Sequence, residues 1–387
     1  MNRGPLLVPL ALLAGLITVT VLVPAAGVFD RRPPRVVERP AQKGTVTRVL
    51  RDEPVPLGQG TGRHQIVEVA LAGRTVIIDH TWDPSGALPP PVAPGDTVLI
   101  GTTPGPEGNI YYLADHARER PIWALAAAFV LLVLAVGRRQ GMWSLLGMAA
   151  SLLVIVRFIV PGILAGHPPV LISVVGALAI LLPTLYLAHG TSRKTSVALA
   201  GTAVSLSLVA VLASLSIEVA RLTGAAEETV ALQSLAGGIP PRGLLLAGMI
   251  IGALGVLDDV TIGQASTVFE LWRANPALGV GELFRRGMNV GRDHIASTVN
   301  TLVLAYAGAA LPLLILLASQ PEPLSVLVNR EFLAIEIVRT LVGSIGIVAA
   351  VPVTTLIAAI VAAHTPVPAP VPTDDPHADC DRVASRR

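Results

Sequence analysis

Charge is scarce in this chain. Only 14% of its 387 residues are Asp, Glu, Lys or Arg, against about a quarter in an ordinary soluble domain. Long stretches carry none, which excludes the mixed-charge surface that a large water-soluble fold requires. Cysteine is nearly missing: Cys380 is alone, so no internal disulfide can form. Aromatic residues make up 4% and the net charge is only +2. Together these exclude the stacking platform and basic groove of a nucleic-acid binder, so no nucleic acid is expected as a partner. GxSxG, a P-loop and a dinucleotide fingerprint are absent, and so are HExxH and zinc-type Cys/His spacings. Catalysis, a cofactor and a metal are therefore not expected.

Apolar residues are abundant instead, at 52%. They fall in eight runs of about 17–27 residues, the length that a 30 Å hydrocarbon core demands of a helix. The runs are Leu6–Val28, Pro121–Gly137, Met142–Val160, Val170–Ala188, Ser196–Val219, Gly243–Gly263, Ile295–Ala318 and Val338–Ala363. Arg138-Arg139 separates the second from the third. Pro183, Pro312 and Pro352 lie inside spans, and Pro352 with Thr354 and Thr355 offers a local break in the last. Among the short loops, Lys and Arg gather on alternate ones, at 138–139, 193–194 and 273–292, and in the tail, while the opposite short loops carry only Arg221, Arg242 and Arg330. The positive-inside rule then places both termini in the cytoplasm of a multi-pass cell-membrane protein embedded in the lipid bilayer. Residues 1–28 read as an anchor, although Val23-Pro-Ala-Ala26 would also suit a signal peptidase.

Residues 29–120 follow a different rule. Thr45–Leu50, Gln65–Leu71, Arg74–His80, Asp96–Gly101 and Asn109–Ala114 are short β-branched runs with period-two alternation between Gly and Pro clusters. They predict an inserted all-β barrel of OB or SH3-like kind outside the membrane. An all-α polytopic domain follows at 121–363, and 364–387 reads as a disordered cytoplasmic tail. Glu218 and Arg221, like Glu336 and Arg339, are spaced i,i+3 and suited to pairing.

Ionisable groups at membrane depth are costly, about 2.5–3.5 kcal/mol on insertion scales, and mark functional positions. Asp258 and Asp259 end the apolar run Gly243–Leu257. At about 100° per residue, Gly248, Gly252, Gly255 and Asp259 share one face and Asp258 points elsewhere. That predicts helix packing through the glycines, with Asp259 aimed into protein. The alternative is that the helix ends near Val260 and leaves both carboxylates among headgroups. In the next span Asp293, His294, Ser297, Thr298, Asn300 and Thr301 form a polar stripe. Asp258, Asp259, Asp293, His294, Ser297, Asn300 and Thr301 are therefore the candidates for a transport or proton-relay path, with His294 a relay partner for Asp259. The same polar groups also suit plain interhelical bonding. Two neighbouring aspartates on one helix cannot converge on one water, which argues against an intramembrane protease.

The chain resembles the YibE/F family of bacterial multi-pass membrane proteins from about Gly44 to Ala359. The resemblance is carried by Arg242-Gly-Leu-Leu-Leu, Gly252-Ala-Leu-Gly-Val-Leu-Asp-Asp-Val-Thr-Ile-Gly-Gln-Ala-Ser and Gly291-Arg-Asp-His-Ile-Ala-Ser-Thr-Val-Asn-Thr-Leu. His189-Gly190, Glu336-Ile-Val-Arg339 and Pro352-Val-Thr-Thr355 add to it. It implies architecture, location and a signature around the acidic pair, and no particular activity. From the residues, a transporter or channel for a small solute or ion, proton-coupled through Asp259, is expected. The alternative is a non-catalytic assembly factor whose outer domain docks a protein partner.

Overall fold

The computed structural model describes residues 41–57, 60–71, 73–83, 89–105, 108–225, 238–319 and 321–366, with Thr20. The expected first span and the tail from 367 lie outside the described residues. Two compact units divide the chain, Pro34–Leu145 and the rest, with the boundary inside a helix between Leu145 and Leu146.

The first unit contains a five-stranded antiparallel sheet, β1 (Gln42–Leu57), β2 (Gly60–Leu71), β3 (Arg74–Trp82), β4 (Thr97–Gly105) and β5 (Gly108–His116), in the order β3-β2-β1-β4-β5. All five runs expected from the alternation are strands, each longer than predicted. Val46, Val67, Val69, Leu71, Val76, Ile78, Val98, Ile100 and Leu113 point to one buried face, as alternation on a half-buried sheet requires. Bulges in β1, at Val46/Arg48 and Val49/Arg51, and in β5, where Ala114 is the extra residue opposite Leu99/Ile100, curl the sheet. Among the described residues no ladder joins β3 to β5, so the expected barrel is not closed by hydrogen bonds. Instead the Arg74 guanidinium lies 5.0 Å from the centroid of the Tyr111 ring across that gap. Gln65 fastens the proline-rich loop: its Oε1 accepts from Val92 N at 2.8 Å and its Nε2 donates to Val92 O at 3.2 Å.

The helices are α1 (Glu119–Val154), continued by a π-turn at Ile155–Ile159 into α2 (Val160–Leu164), then α3 (Pro169–His189), α4 (Arg193–Val219) and α5 (Pro241–Ala274). They continue with α6 (Val280–Ala309), α7 (Leu311–Ala318), α8 (Leu324–Leu327) and α9 (Glu331–Ala363). Among the described residues five helices are long and apolar enough to cross a membrane, or six if the bent pair α6–α7 counts as one span. The eight spans of the sequence are thus not reproduced one for one. The second and third fall in the single element Glu119–Leu164, interrupted where Arg138 adopts φ 49° and ψ −129°. A Cβ on Gly141 would collide with the Val133 carbonyl oxygen. Those residues would be about 12 Å apart on a straight helix, so the chain bends back sharply at Arg138. The seventh span is broken by 66° between α6 and α7, where Pro312 cannot continue the hydrogen-bond ladder. By contrast, α9 runs unbroken through Pro352, so the break expected there is absent. Glu336 pairs with Arg339 at 2.7 Å. Glu218 does not pair with Arg221, which leaves the helix with φ 52°.

The bundle core lies between α3, α4, α5, α6 and α9, around Leu181, Leu185, Val209, Ile250, Leu257, Leu283 and Ile347. Small residues set the spacing. Gly201 of α4 sits against Thr354 of α9, and Gly346 of α9 against Val209 of α4.

Candidate functional site

A layer of polar side chains crosses this apolar core. Thr202 and Thr261 are fully buried, and their hydroxyls share a hydrogen bond of 2.6 Å between α4 and α5. Ala198 O lies 3.0 Å from the Thr202 hydroxyl and Asp258 O 3.2 Å from the Thr261 hydroxyl, so one hydroxyl donates across to the other helix while the other donates to the carbonyl on its own. One turn further along α5, the buried Gln264 joins three helices. Its Nε2 donates to Gly287 O of α6 at 2.8 Å and to Thr355 Oγ1 of α9 at 2.7 Å. Gly287 and Gly291 let α6 come this close, since a Cβ on Gly287 would stand 2.9 Å from Thr355 and Val268, and one on Gly291 2.5 Å from Val351. Ser205 and Thr354 are buried, and no hydrogen-bond partner reaches their hydroxyl oxygens.

Asp258 adjoins this layer through its backbone carbonyl, 3.2 Å from the Thr261 hydroxyl. Its helix does not stop near Val260 but continues to Ala274, with Gln264, Val268, Phe269 and Trp272 buried beyond it. The two carboxylates are therefore in mid-helix, and the headgroup alternative loses its premise. Asp258 is half-buried, its Oδ1 fully enclosed and without a hydrogen-bond partner. Asp259 is exposed, which reverses the expected assignment of the inward-facing carboxylate. The charges of Asp259 and Lys194 both act on the His189 ring at the end of α3, and that of Asp259 acts on Asp258. His189 is thus a histidine within electrostatic reach of Asp259.

The glycine face and the polar stripe do not meet as expected. Gly248, Gly252 and Gly255 are exposed. No atom lies within 4 Å of a Cβ built on Gly248 or Gly255, and Gly252 meets only Tyr306 Oη at 3.7 Å. Gly248 and Gly255 therefore do not pack α5 against another described helix, and Gly252 touches α6 only at the Tyr306 hydroxyl. Asp293, His294, Ser297, Asn300 and Thr301 are exposed on α6. The Thr301 hydroxyl donates to Ser297 O within its own helix at 2.9 Å. Among the described residues no side-chain hydrogen bond carries Asp293, His294 or Asn300 to another element. The inward face of α6 is set by Leu283, Gly287 and Gly291, which are buried, and the stripe lies away from it. Sequence reasoning had not singled out Thr202, Ser205, Thr261 and Gln264 as site residues, and had read Thr354 and Thr355 only as part of a local break. The available signal was the spacing of Thr261, Gln264 and Val268, which keeps one helical face through an apolar helix.

An apolar bundle with a buried polar layer and a half-buried carboxylate beside it defines an integral membrane protein of the multi-helix class. The family of YibE/F-like proteins matches residues 125–364, and the chain belongs to it. No curated protein and no solved structure matches the chain.

Proposed function

We propose that the protein is a transporter or channel for a small solute or ion in the cell membrane, with proton coupling through the acidic pair. One observation carries this reading. The enclosed Asp258 Oδ1 stands without a partner one turn of α5 from the polar layer that spans α4, α5, α6 and α9. A carboxylate in such a place is costly unless something binds it. No catalytic role is proposed. The positive-inside rule orients the helices with the 138–139, 193–194 and 273–292 loops, and both termini, in the cytoplasm. The test is the full chain reconstituted in liposomes and screened for ion and solute flux. Flux above empty vesicles that is lost in Asp258→Asn at equal protein content supports the reading, and no flux for any tested ion or solute removes it.

A second reading rests on a separate observation. Gly248, Gly252, Gly255 and Asp259 of α5, and the polar stripe of α6, are exposed, and such surfaces in a bilayer call for a protein cover or water. A membrane partner or assembly role fits them, with the outer unit as a further docking face. Capture of a defined partner on the wild-type chain, lost on Asn300→Leu or Gly255→Leu, supports it. Unchanged capture by both variants counts against it.

A further inference from the structure

An open cleft of about 480 Å³ lies where α3 ends and α4 begins, with the last turns of α9 along its side. Its two halves differ in chemistry. The rim is Tyr186, Thr191, Ser192, Arg193 and Ser196, and the wall is Val197, Ala200, Ile357 and Val361. Side chains tie the rim across two helices. Tyr186 Oη lies 3.1 Å from Ser196 Oγ, which donates to Ser192 O at 3.2 Å. The hydrogens of those two hydroxyls are thereby spent. The Thr191 hydroxyl and the Arg193 guanidinium have no protein partner among the described residues, and no Asp or Glu lines the cleft. Arg193 and Ala200 are seven residues apart on α4, so the wall runs about 10 Å along the helix from the charged rim. Val204, one turn past Ala200, and Ile360, beside Val361, are exposed apolar residues. The wall is therefore continuous with the apolar surface that faces lipid.

We propose that this cleft holds one anionic phospholipid, its phosphodiester on Arg193 and Thr191 and the start of an acyl chain against Ala200, Ile357 and Val361. The charged group is a guanidinium, whose planar fork matches two phosphate oxygens. Lys194 adds a second positive charge beside it, and among the described residues neither cation is in a salt bridge. With no carboxylate in the lining, the ammonium of a zwitterionic headgroup finds no partner here, so a headgroup with net negative charge is preferred. A free anion would leave the apolar wall uncovered, whereas an acyl chain covers it and adds the gain of apolar contact. The orientation proposed above puts the 193–194 loop on the cytoplasmic side, where the leaflet supplies anionic lipid. The inference goes beyond the transport reading and does not rest on it.

The experiment uses the purified full-length protein in a mild detergent, titrated with phosphatidylglycerol, with phosphatidylcholine of the same acyl chains, or with inorganic phosphate. Native mass spectrometry counts the lipid retained, and the fluorescence of buried Trp272 on α5 follows melting. Phosphatidylglycerol is expected to be retained about tenfold more tightly than phosphatidylcholine, and to raise the melting temperature saturably where inorganic phosphate does not. Arg193→Gln should weaken the phosphatidylglycerol affinity about tenfold, the equivalent of about 1.4 kcal/mol, and remove the preference over phosphatidylcholine. Ala200→Leu, which fills the apolar wall, should weaken retention of both lipids. Both positions are exposed, so neither change disturbs the core. Arg139→Gln, at a basic loop residue outside the cleft lining, should leave retention unchanged. Equal retention of the two lipids, a melting shift from inorganic phosphate alone, unaltered affinity in either Arg193→Gln or Ala200→Leu, or an equal loss in Arg139→Gln would overturn the site.

Discussion

Asp258 and Asp259 are neighbours in sequence and opposites in environment. A helix turns about 100° per residue, so one carboxylate is half-buried while the other stays on the bundle surface. Asp258→Asn is therefore expected to abolish function at normal membrane abundance, with Asp259→Asn milder. A flux or complementation assay on the two variants checks the order, and equal tolerance of both would refute it. Gln264 is the second sensitive residue. Gln264→Ala removes the donor to Gly287 O and to Thr355 Oγ1. Interhelical bonds of this kind are worth about 0.6 kcal/mol on average and about 1.7 at most in a membrane, so the loss of two should cost about 1–3 kcal/mol. Reversible unfolding in mixed micelles measures it. A cost no greater than that of Ser266→Ala, one helical face away, would show that the layer is not structural.

At the scale of elements, close approach decides the neighbours. Helix α6 is held by Gly287 and Gly291 against α5 and α9, not by its Ser/Thr/Asn stripe. Helix α5 presents its threonine and glutamine face to α4, α6 and α9 and leaves its GxxxG face open. Paired substitutions Thr202→Cys and Thr261→Cys should therefore cross-link within one chain, because their hydroxyls are already 2.6 Å apart. Gly255→Cys with Thr301→Cys should cross-link within one chain far less readily. Gel mobility after mild oxidation distinguishes the two, and a strong intrachain 255–301 band with none for 202–261 would contradict the packing described.

The whole molecule joins two materials, a curled sheet with its own core and a bundle whose outward residues are apolar, such as Leu171, Val211 and Leu341. The sheet closes ten buried side chains on itself, so residues 40–118 should fold as a soluble fragment with β-type circular dichroism and a cooperative melt. A disordered spectrum would refute this. The same fragment should be acid-sensitive. His80 is buried, with Nε2 2.7 Å from Pro89 O, and burial holds its pKa below the ordinary 6.5. The unfolded chain then binds the proton first as the pH falls, so stability is full above about pH 6.5 and declines below it, until the folded form also titrates. The slope should not exceed about 1.4 kcal/mol per pH unit for one group. His80→Gln should flatten it, as followed by urea melts across that range.

Composition and period were enough for the class of protein. Apolar runs too long for a soluble helix and alternating β-branched runs follow from single-chain rules, so the helical bundle and the five strands were legible. The break at Arg138 falls where Arg138-Arg139 had divided two spans, but the bend before Pro312 was not legible, since a hydropathy run records length and not direction. Helical phase showed that Asp258 and Asp259 diverge, and that glycines accompany the second. It did not show which face meets a neighbour, because burial belongs to the pair of helices and not to either one. Only the tertiary structure placed Thr202 against Thr261, Gln264 against Gly287 and Thr355, and Asp258 inside. Those contacts join residues far apart in the chain, and no local periodicity encodes them.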